Sequence, residues 1–323
     1  MFYFPFLKNR KVLLVSHNLT ISGAPLLLAE TAVAMKTSGA DVAMVNLGLQ
    51  DSEFPLPVGK GFRTIPDEQS FTFASEADLV IVNTAVTKTW VRDLLALHPG
   101  AGRKIVWWIH EIDTDLYAEG MQCLQEAAAV IFDSDASYQE WRRTSLPMPS
   151  ASKVIHPCVR DGFLKAAARM RRSSSWTLRR RRILGGAQVS AREEVRAQLR
   201  VRDEDFLVTL IGQYCALKGH DLLVKTIGQM LEASPGLPLK LLLVGFQDEP
   251  NRRGFLEGLS EAERAAVGSD RAISRAADLK RYYLASDAFV MNTQHPGETF
   301  GRVTIEAMAF RLPILGTRAG GTR

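Results

Sequence analysis

Residues 11–48 read KVLLVSHNLTISGAPLLLAETAVAMKTSGADVAMVNLG. The segment 11–17 is apolar at four successive positions, Val12 to Val15, which suits a strand buried on both faces. A helix over 25–39 follows, with Pro25 in its first turn and Gly39 as its stop. A second strand-like run, 41–48, comes directly after it. Two apolar strands joined by a helix predict a parallel pair under a covering layer, the unit of a doubly wound α/β sheet.

The same alternation extends along the chain. Segments 78–84, 104–110, 129–134 and 153–158 read as further strands, mostly separated by helical stretches. Beyond residue 203 the pattern restarts, with strands at 206–212, 239–246, 287–292 and 312–316 and helices that include 220–234 and 300–310. The expected fold is α/β: two Rossmann-like domains with parallel sheets, over 11–160 and 204–323, facing a cleft. A lead-in over 1–10 precedes them and a basic linker over 161–203 joins them. Such sheets bind ligands at the carboxyl ends of their strands. There the chain carries Ser16-His17, Asn83-Thr84, His110-Glu111 and Asp133-Ser134 in the first half, and Gly212-Gln213 and Asn292-Thr293 in the second.

Composition narrows the function classes. Apolar residues at 46% and charged residues at 23% of 323 exclude a disordered or membrane-dominated chain. Cys123, Cys158 and Cys215 form neither a metal spacing nor a disulfide framework, and are read as buried thiols. The net charge of +5 conceals a basic segment, with 12 Lys/Arg against 3 Asp/Glu over residues 160–200. Its arginine run, 179–182, fits either a solvated linker or a nucleic-acid patch. No aromatic-studded sheet or recognition helix accompanies it, so no nucleic-acid partner is expected. The start, MFYFPF before Lys8, Arg10 and Lys11, is far below the roughly 20 residues that span a bilayer. It reads either as a lead-in packed beside the first strand or as the remnant of a missing membrane anchor. Compartment therefore stays open between the cytoplasm and a Golgi or ER membrane.

Several residues could carry chemistry. Gly23 stands at a strand-to-helix turn, where helix N–H groups and the helix dipole suit an anion; a tight turn alone also wants glycine. Lys218-Gly219 stands at another such turn, where the lysine could neutralise a diphosphate or simply be exposed. His110 ends a strand, placed either to move a proton or to bond a backbone carbonyl in the core. Glu298 lies before the helix at 300–310 and Glu306 two turns along. A carboxylate accepts paired hydroxyls, so the two could hold different parts of one elongated ligand. They could equally be a dipole partner and a solvated residue. Three D-x-D triplets, at 113–115, 133–135 and 203–205, suggest a divalent metal on a nucleotide sugar. Each also precedes an expected helix, where aspartates cap, and capping is the favoured reading.

Taken together these residues resemble glycosyltransferase family 4, enzymes of the two-domain GT-B fold. ETFGRVTIEAMAFRLPILGTRAGG, residues 298–321, is similar to that family's E-x7-E segment throughout. VLLVSHNLTISGAPLLLAE, VNTAV and VWWIHE resemble a plant-type branch. The resemblance implies transfer of a sugar from a nucleotide diphosphate donor, UDP- or GDP-linked, to an unknown acceptor, with retention and with no cofactor or metal. It implies that Glu298 holds donor sugar hydroxyls and that Thr299, Phe300 and Gly301 meet sugar or phosphate. Glu306 would grip ribose, Lys218 would clamp the diphosphate with Gly23 near it, and His110 would face the donor sugar. The chain departs from the family at Gln213, where an arginine is usual, and at Gly23-Ala24, where Gly-Gly is common. It also stops where the family continues, so the second domain is expected to be truncated. A non-catalytic relative binding a nucleotide or partner protein is the alternative.

Overall fold

A computed structural model describes residues 4–19, 22–48, 62–168, 186–246, 249–273, 279–294 and 297–322; the arginine run 179–182 lies outside them. The chain divides into two compact units, Met1–Pro157 and Cys158–Arg323.

The first unit holds strands β1 (Lys11–Ser16), β2 (Asp41–Asn46), β3 (Arg63–Ile65), β4 (Leu79–Asn83), β5 (Ile105–Ile109), β6 (Ala129–Phe132) and β7 (Lys153–Val154). Helices α1 (Gly23–Thr37), α2 (Asp67–Glu76), α3 (Lys88–Leu97), α4 (Thr114–Tyr117) and α5 (Asp135–Arg143) alternate with them. The sheet order is β3-β2-β1-β4-β5-β6-β7, and every pair is parallel. Successive residues of β1 enter different cores: Leu13 and Val15 pack on one face, Val12 and Leu14 on the other. That is why the run is apolar without alternation.

The second unit begins with α6 (Asp161–Ala168) and α7 (Gly186–Gln198). It continues as β8 (Phe206–Ile211), α8 (His220–Ala233), β9 (Leu239–Phe246), α9 (Glu249–Glu257), α10 (Glu261–Ala266) and β10 (Ser269–Ile273). It closes with α11 (Leu279–Ala285), β11 (Ala288–Met291), α12 (Arg302–Ala309) and β12 (Ile314–Gly316). Its order, β10-β9-β8-β11-β12, is again wholly parallel. Leu207 and Ile211 pack on one side, Val208 and Leu210 on the other. Both units are thus doubly wound sheets of the expected kind.

Four sequence expectations need correction. Residues 153–158 form a strand only at Lys153–Val154. Cys158 and Cys215 are exposed and Cys123 is half-buried, because the first two lie in loops and no core surrounds them. Asp203 and Asp205 precede a strand, not a helix, and Asp205 accepts from the Arg202 backbone and guanidinium. Finally, the basic segment is not simply a solvated linker. Arg192 and Arg196 of α7 are buried, and their guanidinium groups donate to the carbonyls of Leu284, Ala285 and Ser286 at the end of α11. Both also pair with Asp287. Helix ends leave carbonyls without partners, and these arginines supply them.

At the start of the chain, Leu7 packs into the core beside Val12 and Leu14, and the Phe4 amide donates to Ser38 Oγ at 2.9 Å. Phe6 remains exposed. Among the described residues no helix is long and apolar enough to cross a membrane.

Candidate functional site

In each sheet the strand order reverses beside the first strand, between β1 and β4 in one unit and between β8 and β11 in the other. Loops leaving two such strands diverge to opposite faces and open a crevice at the carboxyl edge. The candidate residues gather at these two places.

In the second unit the loop after β8 carries Gln213, which is exposed, and a 3₁₀ turn, Ala216–Lys218. Gly219 follows in the left-handed region at φ +66°, and a Cβ there would lie 2.3 Å from the Asn292 carbonyl. Only glycine fits so close an approach. The loop after β11 is tied to it: Asn292 Nδ2 donates to Gly219 O at 2.6 Å and the Gln294 amide to Leu217 O at 2.7 Å. Across this seam Lys218 Nζ meets Glu298 Oε2 at 2.5 Å. Two residues eighty positions apart, each suspected separately, form one ion pair at the switch point.

The loop bearing Glu298 is braced from beyond β12. Gly321 N donates to Glu298 O at 2.6 Å, and Glu298 bridges to Gly320. A Cβ at Gly320 or Gly321 would fall 2.2 Å from Glu298 O or 2.1 Å from Thr299 O. The closing Gly-Gly therefore lets one backbone lie directly on another. Gly301, at φ +84°, starts α12 without any side-chain cap, as Gly219 starts α8. By contrast, Ser134 caps α5 and Ser260 caps α10 through a full capping box. The amides of Thr299, Phe300 and Gly301 thus lead into a helix start that no capping side chain occupies, a setting suited to an anion.

Glu306 is placed differently from Glu298. It is 2% exposed, and its two oxygens face Arg160 and Tyr283. Burial first, then the Glu306 charge, pushes the Tyr283 phenol well above its ordinary range, so it stays a hydrogen-bond donor.

His220, the first residue of α8, is also 2% exposed, with its ring stacked on Tyr214 at 4.7 Å between centroids. Neither ring nitrogen has a hydrogen-bond partner among the described residues; the Cys215 backbone lies nearby without reaching bonding geometry. Burial, reinforced by the Lys218 charge, pushes its pKa down to about 4. Since the folded value lies below the ordinary 6.5, the neutral ring's contribution is present above pH 6.5 and is lost as pH falls toward 4. At about 1.4 kcal/mol per pH unit the loss amounts to about 3 kcal/mol. His220→Phe is expected to flatten the pH dependence of the urea midpoint between pH 6.5 and 4, leaving what His17 and, with opposite sign, Glu111 contribute. An unchanged slope would show that another group titrates there.

In the first unit, His110 sits between two acceptors, with Nδ1 2.6 Å from Asp133 Oδ2 and Nε2 2.8 Å from Asn83 Oδ1. Trp108 Nε1 donates to the other Asp133 oxygen at 2.8 Å. Asp133 is therefore neither cap nor free ligand, which corrects the sequence reading; Ser134 does the capping, and Asp113 caps α4 as expected. His17 Nδ1 lies 3.0 Å from Thr84 Oγ1. Burial first, then the charge of His110, pushes the His17 pKa down. The buried Glu111 carboxyl is pushed up by desolvation, although the Ala85 and His110 amides both donate to it.

Thr84, one of the strand-end residues, has a backbone conformation that the sequence did not announce. Its φ of +76° with ψ 157° is rare for a β-branched side chain and costs on the order of 1–3 kcal/mol. Four hydrogen bonds hold it there: its amide to Trp108 O, its carbonyl to Trp107 Nε1 and Thr87 Oγ1, and its hydroxyl to His17. Gly23 shows the opposite situation. A Cβ there would meet nothing within 4 Å and its φ is not positive, so the backbone does not require glycine and the residue leaves open space.

Residues 8–169, half the chain, match the family described as Glycosyl-transferase family 4, and residues 191–323 match Glycosyl transferases group 1. The chain is 30% identical over 139 residues to D-inositol 3-phosphate glycosyltransferase of Rhodococcus erythropolis, an alignment covering 40% of this chain and 30% of that one. To the enzyme of the same name from Segniliparus rotundus it is 31% identical over 143 residues, 43% of this chain and 30% of the other. The chain thus aligns with about a third of the length of these relatives. Among solved structures, Anabaena HepE in complex with UDP and glucose superposes with a TM-score of 0.74 at 19% identity, covering 97% of this chain and 82% of that one. The catalytic domain of Arabidopsis thaliana Starch Synthase IV, bound to ADP and acarbose, does so with 0.61 at 14% identity, covering 97% and 84%. These likenesses place the fold in the GT-B class.

Proposed function

Because the chain belongs to glycosyl-transferase family 4, we propose that it transfers a sugar from a nucleoside diphosphate donor to an acceptor, with retention of configuration and without a divalent metal. The observation that carries this reading is the Lys218–Glu298 pair at the β8/β11 switch point, flanked by the uncapped starts of α8 and α12. A lysine and two helix N-termini offset the charge that builds on a departing diphosphate. Glu298, once released by Lys218, accepts hydroxyls of the donor sugar, with the backbone of Thr299, Phe300 and Gly301 beside it. Glu306 contacts the ribose. For the first unit the family resemblance assigns donor roles to Gly23 and to His110, whose ring Asp133 orients. UDP and GDP are the donor nucleotides the proposal favours; UDP and ADP accompany two of the solved relatives by fold.

Metal independence is supported by where one carboxylate of each D-x-D triplet is spent. Asp133 holds Trp108 and His110, Asp113 caps α4, and Asp205 holds Arg202. The test is a panel of UDP- and GDP-sugars with and without EDTA, followed by binding calorimetry and by donor hydrolysis. Binding of at least one donor, with turnover unchanged by chelation, is expected. A folded chain that binds none would refute the reading, and loss of turnover with EDTA would refute its metal-independent form.

Gln213 favours a second reading, a nucleotide-binding relative without turnover, because an exposed neutral amide stands where the resemblance places an arginine. Donor binding without hydrolysis or transfer would support it, as would activity gained by Gln213→Arg.

A further inference from the structure

Arg160, just before α6, reaches α12. Its Nε and Nη2 both donate to Glu306 Oε1, at 3.0 and 2.8 Å, and its guanidinium lies over the Phe163 ring at 4.1 Å. From α11, Tyr283 donates toward Glu306 Oε2 at 3.1 Å. Its single proton also faces Val303 O at 3.2 Å, but a charged carboxylate is the stronger acceptor.

A carboxylate offers about four acceptor positions, two on each oxygen. Arg160 fills both on Oε1 and Tyr283 fills one on Oε2, which leaves one. Two vicinal hydroxyls held side by side need one acceptor position on each oxygen. We propose that Arg160 is a specificity-determining residue of the nucleotide site: by saturating Oε1 it restricts Glu306 to one ribose hydroxyl, taken through Oε2, instead of the 2′/3′ pair. This inference rests on the reading of Glu306 as the ribose contact. The pair has an electrostatic consequence as well. Arg160 is 13% and Glu306 2% exposed at their side chains. Bound this way, the carboxylate does not present an uncompensated charge to an anionic ligand, and it is spared the penalty of a lone buried charge.

The experiment measures affinities of the full chain for UDP, 2′-deoxy-UDP and 3′-deoxy-UDP by calorimetry, in wild type and in Arg160→Lys. In wild type, one deoxy form should bind about tenfold more weakly than UDP and the other within about twofold, as expected for loss of a single hydrogen bond. Arg160→Lys keeps the charge but cannot reproduce the two-pronged donation. One position on Oε1 is then freed, and both deoxy forms should fall below UDP. Equal losses for the two deoxy forms in wild type would overturn the inference, since the diol grip would be intact. No loss for either would overturn it too, because the ribose would not reach Glu306. The wild-type comparison decides the matter even if the variant fails to fold. If a folded wild-type chain binds no UDP while binding a GDP-sugar, the same triplet is measured with GDP. If it binds neither nucleotide, the nucleotide-site reading itself falls and this inference falls with it.

Discussion

Lys218→Ala is expected to lower kcat/KM for transfer about 10²–10³-fold, the range found when one preorganised charge-stabilising donor is removed. Without ligand, Lys218 and Glu298 neutralise one another, both only partly exposed at 24% and 19% of their side chains. A diphosphate carries more negative charge than one carboxylate and draws the ammonium away. The carboxylate is then left to accept neutral hydroxyls. The two residues should therefore separate in their effects. Lys218→Ala should weaken UDP binding, whereas Glu298→Gln should leave UDP affinity equal or tighter and still lose transfer. Calorimetry with UDP and initial rates with the donor identified by screening distinguish them. Wild-type UDP affinity in Lys218→Ala would remove the lysine from the phosphate site.

Asp287→Ala should be the most damaging single change to stability, by about 3–5 kcal/mol, because it strips the counter-charge from two buried guanidinium groups. Asp287 accepts from Arg192 Nη2 at 2.6 Å, from Arg196 Nη1 at 3.0 Å and from the Leu207 amide at 2.8 Å. Desolvation already works against Arg192: burial pushes its pKa down, with Asp287 opposing. A lowered urea midpoint at unchanged slope is the expected signature. Asp78, whose partner Arg10 is exposed, provides the control, and its replacement should change little. Similar midpoints for the two variants would mean that the α7–α11 arginine cluster does not hold the second unit together.

The central strands were legible because burial on both faces makes them continuously apolar, as in Val12 to Val15 or Leu241 to Val244. One edge strand of each sheet was not. β3 is three residues long with two exposed, and β10 reads Ser-Asp-Arg-Ala-Ile, where no apolar run marks pairing. At the site, glycine positions carried real information: Gly219, Gly301, Gly320 and Gly321 each answer a positive φ or a close backbone approach. What escaped was anything set by tertiary context. Nothing local tells that Lys218 finds Glu298, that Asp133 turns inward to His110, or that a threonine at position 84 adopts a left-handed φ. Arg160, Arg192 and Arg196 looked like part of one basic stretch because charge counts ignore burial, and their carboxylate partners lie 91 to 146 positions away.

The backbone seam between Glu298-Thr299 and Gly320-Gly321 also sets an order of events during synthesis. β8, β9 and β11 precede the seam in the chain, so much of the second unit's core can assemble on a nascent chain ending before residue 317. The loop that carries Glu298, by contrast, receives its brace only when Gly320 and Gly321 arrive. A nucleotide sugar could then act as a stabilising ligand for the nascent protein only after that moment. Protection of ribosome-bound chains from proteolysis by UDP should accordingly begin once Gly321 has emerged, and not with the emergence of the sheet itself.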